Sequence, residues 1–298
     1  MTHPIKLYIL VLIIAFSSCQ PAGKQAGTES SPQLPAREKR IISLSGMLTE
    51  VLFDLGHGGQ IVGTDVTSTY PKSTDDIPKL GHISQLNAEA ILQLQPDVLF
   101  VEQSTQGQPV LDQLRMAGLQ IVAVPTGHQL FNAAHAARYM SRYLESGSEL
   151  ADLLYERIEH DSLVLSRTLS LYANKPKVLF IYARGMGRLS VAGTGTAAAV
   201  IIEKAGGQNA ITAFEGFQVL TPEALVESAP DVILMFSSGL ASLDGVEGLS
   251  RIPGMEQTPA FQHKRVVAMD GHYLTAFGPR AAQAADQLAR AIHQMQEL

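Results

Sequence analysis

Cysteine, tryptophan and charge are scarce in this sequence. Its 298 residues include one Cys, no Trp and 17% charged residues, with a formal net charge of −6. A single Cys excludes a disulfide framework and any zinc site that needs several thiolates. A mildly acidic chain offers no basic patch for nucleic acid. Hydrophobic residues nevertheless make up 46% of the chain, which excludes disorder of the whole chain and is enough for two domains or one large one.

Long hydrophobic runs are absent apart from one near the N-terminus. Lys6 precedes ten apolar residues, Leu7–Phe16, which are too few to span roughly 30 Å of hydrocarbon as a helix. A positive start, a short apolar core and small residues after it are typical of a secretory signal. Because the small residues end on Cys19, the segment resembles a bacterial lipobox. We predict a lipoprotein signal peptide over residues 1–18 and a lipidated Cys19; the alternative is an ordinary signal peptide with an incidental Cys.

Residues 19–38 contain the lipidated Cys and what we interpret as a flexible tether. Gln, Pro, Ala, Gly and Ser dominate this stretch, and no apolar periodicity is present. Such a composition cannot bury a hydrophobic core. We therefore expect a folded, acidic protein that a lipid anchor holds at a membrane.

From Ile41 onward, short β-branched runs alternate with helical patterns, which predicts an α/β class with parallel sheets. Predicted helices include Met47–Leu55, Ala88–Leu94 and Val110–Ala117, and several end at a glycine that serves as a C-terminal cap. The predicted strands are Ile41–Leu44, Gln60–Gly63, Val98–Glu102, Leu119–Val124, Lys177–Tyr182, Val232–Phe236 and Arg265–Met269.

An internal repeat indicates two similar lobes. The stretch from Leu86 to Phe100 aligns with the stretch from Leu220 to Leu234, and Leu, Glu, Ala, Pro, Asp and Val coincide in register. In each copy an N-capping residue, Asn87 or Thr221, begins a helix, and a Pro-Asp pair then turns the chain into a buried strand. We place an N-terminal lobe at residues 39–145 and a C-terminal lobe at residues 175–298.

We predict that the segment between the lobes, residues 146–174, forms a connecting helix. Leucines and isoleucine recur at helical spacing from Leu150 to Leu169, and no proline interrupts them. We predict a long helix from about Ser148 to Tyr172, preceded by a shorter one that ends near Glu145. A helical connection between two lobes is stiff, so we expect only a small opening and closing motion.

Taken together, these features resemble the helix-linked class of substrate-binding proteins of ABC importers, which serves siderophores, cobalamin and haem. The most specific stretches are Gly63–Pro71, Tyr182–Gly195 and Asp270–Arg280, and they resemble the haemin-binding component of haemin importers. The resemblance covers about Lys39 to Met295. It implies a class III periplasmic binding protein-like fold, with two Rossmann-like lobes joined by a backbone helix.

The same resemblance implies partners and a location. The protein is expected in the periplasm as a membrane-anchored lipoprotein that captures haemin, the transported ligand, in the interlobe cleft. Its expected partners are an ABC permease dimer with its ATPase, and an outer-membrane haem receptor system upstream; no nucleic acid and no enzymatic reaction are expected.

Tyr70 is the residue that the resemblance assigns as axial ligand of the haem iron. It follows a predicted strand in a polar loop, and Pro71 restrains the backbone beside it. Ligands of open α/β sheets bind outside the carboxyl ends of the strands, where this loop should lie. A phenolate is a hard oxygen donor that suits ferric haem iron, and a nearby cation would favour its ionised form.

Arg184, Arg188 and Met186 follow a predicted strand of the second lobe. An Arg guanidinium pairs bidentately with a carboxylate, so the two arginines are candidates for the haem propionates, and Met186 for a porphyrin face. The alternative for both arginines is a solvated loop charge. Some relatives place an Arg beside the ligating Tyr from the loop after the strand Val232–Phe236. Here that loop is Ser237-Ser238-Gly239, so this Arg is absent or is supplied from elsewhere in the chain.

Among the nine scattered histidines, His272 lies in the third specific stretch. We consider it either as a second axial ligand or as a propionate partner. His82 and His128 also lie near predicted strand ends. For each of the three, the alternative is an ordinary surface or hydrogen-bonded histidine.

Glu89 and Glu223 occupy equivalent positions in the two copies of the repeat. The resemblance implies that one acidic residue per lobe docks to arginines of the permease dimer. The alternative needs no partner, because a Glu in a first helical turn is stabilised by the helix dipole.

Other functions remain open at this point. A cobalamin or ferric-siderophore carrier of the same class is the nearest alternative, although such ligands often rest against Trp, which this chain lacks. An enzyme on a two-lobed α/β scaffold is a different class, since fold alone does not define function. Against it, the sequence has no G-x-S-x-G motif and no metal-ligand cluster. A purely structural lipoprotein would not need the Tyr70 loop.

Overall fold

The N-terminal half of the chain folds around four parallel strands in the computed structural model, which describes residues 38–145, 147–187 and 189–294. The strands are β1 (Ile41–Ser43), β2 (Ile61–Thr64), β3 (Val98–Glu102) and β4 (Gln120–Val124). The helices are α1 (Gly46–Asp54), α2 (Ala88–Gln93), α3 (Pro109–Met116) and α4 (Asn132–Met140). The strand order is β2-β1-β3-β4, and every neighbouring pair is parallel, as crossover connections through helices allow.

This sheet is buried on both faces. Val98 and Phe100 of β3 pack with α1 and α4, whereas Leu99 and Val101, which point to the opposite face, pack with α2 and α3. All four side chains are at most 1% exposed. Burial of one such side chain stabilises the fold by about 1.5–3 kcal/mol, so the continuous apolar run of β3 reflects a central strand covered by helices.

A single long helix, α5 (Ser148–Leu169), connects the two lobes. Leu154 and Ile158 belong to the core of the N-terminal lobe, and Leu165 belongs to a core of the C-terminal lobe. Arg157 of this helix also donates to Asp54 at the end of α1, with 2.6 Å between Nη2 and Oδ2. The predicted connecting helix is thus confirmed, and it packs in both cores; it ends at Leu169 rather than at Tyr172.

The C-terminal half contains a six-stranded sheet. Its strands are β5 (Lys177–Ala183), β6 (Leu189–Ala192), β7 (Gln208–Asn209), β8 (Phe217–Val219), β9 (Val232–Phe236) and β10 (Val266–Met269). Its helices are α6 (Ala197–Lys204), α7 (Pro222–Ser228), α8 (Ser237–Ala241), α9 (Pro259–Gln262), α10 (Gly271–Thr275) and α11 (Ala281–Gln294). The strand order is β10-β9-β5-β6-β8, and β7 pairs with β5.

The second sheet is mixed, which differs from the parallel sheet that we expected. β6 runs antiparallel to β5, and β8 runs antiparallel to β6. The reason is the length of the connection: five residues join β5 to β6, whereas a parallel crossover needs about a dozen. The glycines of this connection form a hairpin loop, and Gly185 adopts a positive φ of 73° there.

The two lobes repeat the same local construction, as the sequence repeat predicts. Asn87 and Thr221 each cap a helix, accepting hydrogen bonds from the backbone N–H groups three residues on at 3.1 and 3.2 Å. Both helices are followed by a residue in the left-handed region, Gln95 with φ 47° and Ala229 with φ 39°. The aspartates of the two Pro-Asp pairs each accept a backbone N–H from the start of a neighbouring strand, at 2.8 Å in both lobes.

The predicted signal peptide, residues 1–18, and the tether that follows it, from Cys19 to Arg37, lie outside the described residues. Within the described part of the chain, no helix is both long and apolar enough to cross a membrane.

Candidate functional site

A cleft of about 390 Å³ lies between the two lobes. Its walls come from the carboxyl ends of strands in both sheets, where open α/β folds bind ligands. The lining residues are Ser45, Gly46, Met47, Thr67, Thr69 and Glu102 from the N-terminal lobe, and Phe236, Ser238, Asp270, Gly271, His272, Thr275 and Ala276 from the C-terminal lobe. A second cavity of about 350 Å³, which shares Thr69 and Asp270 with the cleft, contains Tyr70, Tyr273 and Arg280.

The loop that carries Tyr70 is held by a buried carboxylate. Asp65 is 4% exposed and accepts hydrogen bonds from the backbone and hydroxyl groups of Thr67 and, at 2.6 Å, from the hydroxyl of Ser68. Lys79 donates to the carbonyl of Ser68 at 2.6 Å. Burial lowers the pKa of Lys79, and the charge of Asp65 opposes part of that shift. These bonds hold the loop just before Tyr70, which is 43% exposed in the second cavity and precedes a cis peptide bond to Pro71.

A cation lies directly over the Tyr70 ring. The guanidinium carbon of Arg280 is 3.5 Å from the ring centroid of Tyr70 and 5.0 Å from that of Tyr273. Contacts of this kind stabilise by about 0.5–2 kcal/mol, depending on solvent exposure. A phenolate formed at Tyr70 would therefore have a fixed positive charge beside it. Burial raises the pKa of Tyr273, although the charge of Arg280 partly offsets this, which keeps Tyr273 in its neutral form.

Arg280 is in turn held by Glu50 from the other lobe. Arg280 starts α11, and its Nε and Nη2 atoms donate to the two carboxylate oxygens of Glu50 at 2.6 and 3.0 Å. The Glu50 side chain is 5% exposed. Burial by itself would raise the pKa of Glu50, but the adjacent His272 ring and the hydrogen bonds and charge of Arg280 lower it overall from its ordinary 4.5. Removal of one partner from a buried pair of this kind costs about 3–5 kcal/mol.

His272 contacts the N-terminal lobe through both ring nitrogens. Its Nδ1 lies 3.2 Å from the hydroxyl of Thr69, and its Nε2 lies 3.4 Å from the nearer carboxylate oxygen of Glu50. The side chain is 6% exposed and lines the cleft. In this arrangement His272 joins the two lobes beside the Tyr70 loop, while its assignment as an iron ligand or a propionate partner stays a prediction.

The rest of the cleft combines an aromatic wall with a polar floor. Phe236 packs edge-on against Phe180 and Tyr182, at centroid distances of 4.9 and 6.0 Å. On the floor, the Glu102 carboxylate accepts from the hydroxyls of Ser45 at 2.6 Å and Thr126 at 3.2 Å. The cleft thus offers one flat apolar surface and several polar groups whose positions are fixed by hydrogen bonds.

The candidates on the hairpin loop after β5 lie outside the cavities just described. Arg184 is exposed, and its guanidinium carbon is 5.6 Å from the centroid of the Tyr182 ring. Met186 is 40% exposed and lines a separate apolar groove with Val219 and Ile252. Arg188 lies outside the described residues. The structure therefore does not bring Met186 together with Tyr70, and the propionate role of the arginines stays a prediction.

The remaining candidates occupy three different places. Glu89 and Glu223 are exposed in the first turns of α2 and α7, one on each lobe. His82 caps a short 3-10 turn through its own side chain and is not among the residues that line the cleft. His128 packs on Phe277, with ring centroids 5.3 Å apart, and lines a chamber of about 300 Å³ that adjoins the cleft through Met47 and Glu102.

Glu50 and Arg280 are the site residues that the sequence reasoning missed. Arg280 closes one of the specific stretches, but no role was assigned to it. Glu50 had a usable signal: it is a single acid among the apolar residues that precede the terminal Asp54 of α1, and all seven residues from Gly46 to Leu52 are buried. A charge on the buried face of a helix needs a partner. The Ser237–Gly239 loop carries no cation for Tyr70, and the cation beside its ring is Arg280, which comes from elsewhere in the chain.

Two α/β lobes joined by a helix, with a ligand-sized cleft between their strand ends, define a substrate-binding protein. The chain belongs to the periplasmic binding protein family, whose family model matches residues 41–273. Proteins of this family are components of transport systems rather than enzymes. The chain is thus a substrate-binding protein of the ABC importer type, with the class III architecture of two lobes on a long helix.

Three known proteins illustrate the range of similarity. The periplasmic heme-binding protein RhuT from Roseiflexus sp. RS-1, solved in apo form, is 34% identical with a TM-score of 0.82, covering 87% of this chain and 99% of that one. The uncharacterized ABC transporter substrate-binding lipoprotein YvrC of Bacillus subtilis is 25% identical over 86% of this chain and 80% of its own length. A cobalamin-binding protein of Halobacterium salinarum is 21% identical over 92% of this chain and 74% of its own length.

Proposed function

We propose that this protein captures haemin in the interlobe cleft and delivers it to an inner-membrane ABC permease and its ATPase. The observation that carries the proposal is the placement of Tyr70, an accessible phenol on a rigid loop at the cleft with a guanidinium 3.5 Å above its ring. An accessible phenol beside a fixed cation is suited to coordinate ferric haem iron as a phenolate. The 34% identity to a heme-binding protein supports the same ligand.

The cleft that adjoins Tyr70 offers an apolar surface for a flat ligand. The aromatic wall at Phe236 provides a surface for a porphyrin face, and the polar floor around Glu102 lies at the edge of that surface. Arg184 and Arg188 are our candidates for the propionates, because an Arg guanidinium pairs bidentately with a carboxylate. Arg184 is exposed outside the cleft, so this role requires a propionate that extends beyond the cleft wall. His272 is our candidate for a second axial position or a propionate contact, and either role requires it to leave Glu50 or Thr69.

Delivery requires a partner surface and a location. We propose that Glu89 and Glu223 dock to basic residues of the permease dimer, since they are exposed at matching positions of the two lobes. We further propose that Cys19 is lipidated after removal of residues 1–18 and anchors the protein at a membrane in the periplasm, supplied by an outer-membrane haem receptor system. The lipoprotein name of the Bacillus subtilis relative supports the anchor.

The test is to titrate ferric haemin into the purified protein and record the absorption spectrum. We expect a tyrosinate-ligated ferric spectrum that Tyr70→Ala abolishes. Tyr172→Ala, which changes a tyrosine just beyond α5 that stacks on His293, should leave the spectrum intact. Failure of the unmodified protein to bind haemin would contradict the proposal.

Cobalamin is the second candidate ligand, because a relative of 21% identity is named a cobalamin-binding protein. A ferric siderophore is the third candidate, from the same class of carriers. Titration of cobalamin and of a ferric siderophore in parallel with haemin discriminates among them: binding of cobalamin that is unaffected by Tyr70→Ala would favour the second candidate.

A further inference from the structure

We propose that Glu50 is the positioning residue of the Tyr70 site: from the N-terminal lobe, it holds the Arg280 guanidinium of the C-terminal lobe flat against the Tyr70 ring. The inference rests on the proposed function of Tyr70 as the ligand-binding phenol. Glu50 itself touches neither the phenol nor the cleft ligand, and it acts only through Arg280.

The geometry of the pair fixes the plane of the guanidinium. Two donors of Arg280, Nε and Nη2, meet the two oxygens of one carboxylate at 2.6 and 3.0 Å. A bidentate contact of this kind orients the guanidinium plane as well as its position. A single bond to a neutral amide would leave rotation about that bond free. The 3.5 Å stacking on Tyr70 therefore depends on the carboxylate.

The Glu50 carboxylate is itself immobile. It lies on α1, a helix buried from Gly46 to Leu52, and its side chain is 5% exposed. His272 lies beside the same carboxylate, with its Nε2 at 3.4 Å from Oε2 of Glu50. Met47 lies one turn before Glu50 on α1. Solvent therefore has little access to this pair, and the two ions retain each other more strongly than a surface pair would.

The pair also joins the two lobes. Glu50 and Tyr70 belong to the N-terminal lobe, whereas Arg280, Tyr273 and His272 belong to the C-terminal lobe. If the lobes separate, Arg280 moves away from both Glu50 and Tyr70. The cation beside the phenol is therefore in place only while the lobes are closed. Ligand binding at Tyr70 and lobe closure are thereby coupled through one side chain.

The direct test does not require a ligand. We would incorporate 3-fluorotyrosine, assign the Tyr70 fluorine resonance with Tyr70→Phe, and compare Glu50→Gln with the unmodified protein. We expect Glu50→Gln to move the Tyr70 and Tyr273 resonances, because the guanidinium leaves both rings. The resonances of Tyr139 and Tyr143, which pack in the N-terminal lobe away from Arg280, should stay in place and report that the lobe is intact.

Further variants separate positioning from a general structural role. Glu149→Gln removes an exposed glutamate at the start of α5 and should move none of these resonances. Arg280→Lys should move the Tyr70 resonance as Glu50→Gln does. The double variant should show no larger shift than either single variant, since both changes remove the same contact of the guanidinium with the Tyr70 ring. If Glu50→Gln does not fold, Glu50→Asp, which keeps the charge but retracts it by one methylene, provides the same comparison.

Haemin binding provides the second readout. We expect Glu50→Gln to raise the dissociation constant for haemin at least tenfold, with Glu50→Asp between it and the unmodified protein. The assignment of Glu50 is overturned if the Tyr70 resonance does not move in a folded Glu50→Gln variant, or in Glu50→Asp used in its place. This holds whatever the haemin affinity of the variant. If the resonance moves but the unmodified protein binds no haemin, the positioning role of Glu50 stands and the proposed function fails.

Discussion

Gly46 shows how closely the two lobes approach each other beside the cleft. A Cβ atom at this position would lie 2.7 Å from the carbonyl oxygen of Thr67 and 2.8 Å from Cε1 of His272. The first of these atoms is backbone of the loop that leads to Tyr70, and the second belongs to the other lobe. The carbonyl oxygen cannot rotate away, and the His272 ring is 6% exposed and held between Thr69 and Glu50, so glycine is required here for close approach rather than for an unusual φ.

Gly46→Ala should therefore destabilise the protein by about 1–3 kcal/mol, the usual cost of overpacking a tight contact. The measurement is the free energy of unfolding in urea, followed by circular dichroism. Gly59→Ala is the matched control, because a Cβ there meets no atom within 4 Å, and we expect a change within about 0.5 kcal/mol. Equal effects of the two substitutions would show that the contact at Gly46 is not tight in solution.

The helices α5 and α11 meet at a buried histidine. The ring of His293, near the end of α11, stacks on Tyr172 just beyond α5, with centroids 4.3 Å apart and an interplanar angle of 4°. His293 is 3% exposed. Burial lowers its pKa from the ordinary 6.5, and a bond with the backbone of Ala205 offsets only part of that shift. The histidine is therefore packed in its neutral form at this junction.

The sign of the pH dependence follows from that lowered pKa. Above pH 6.5 the ring is neutral in both folded and unfolded chains, and stability does not change on its account. Below pH 6.5 the histidine binds a proton in the unfolded chain but stays neutral in the folded protein until the pH reaches its lowered pKa. The free energy of unfolding therefore falls as the pH decreases.

We expect urea unfolding at pH 8 and pH 5 to show a larger loss of stability for the unmodified protein than for His293→Phe, which retains a stacked ring without a titrating group. A pH dependence that is the same in both proteins would contradict the neutral, buried state of His293.

The proposed docking to a permease through Glu89 and Glu223 would be a property of the whole molecule, because it would need one contact on each lobe at a fixed separation. Glu89 on α2 and Glu223 on α7 hold corresponding positions in the two copies of the repeat, and α5 keeps the copies on one rigid connection. Two permease contacts of opposite charge would then be engaged at the same time, each raising the effective concentration of the other.

Reversal of both charges, Glu89→Arg with Glu223→Arg, should reduce haemin uptake by cells at least tenfold and leave the haemin affinity of the purified protein unchanged. Uptake of labelled haemin and the spectral titration measure the two effects separately. Glu227→Arg, on the same helix as Glu223 and also exposed, is the control and should leave uptake near normal. Unaltered uptake by the double reversal would exclude these glutamates from docking.

Much of the architecture was predictable from the sequence for local reasons. The buried strands β3 and β9 are apolar runs that follow a Pro-Asp pair, and the N-caps Asn87 and Thr221 use only neighbours three residues away. The antiparallel strand β6 was not predicted, although a connection of five residues is too short for a parallel crossover and indicates an antiparallel pair. The loop position of Tyr70 at a strand end was also predictable, because parallel strands direct their carboxyl ends to one edge of the sheet.

Local sequence determined the α/β class, the repeat, the connecting helix and the candidate phenol, since each depends on residues close together along the chain. Only the tertiary structure decided what stands beside that phenol. Arg280 and Glu50 are 230 positions apart, and nothing in the spacing of either residue predicts that they pair. Their contact exists because the two lobes close on each other, and a buried charge is stable only where folding supplies its partner.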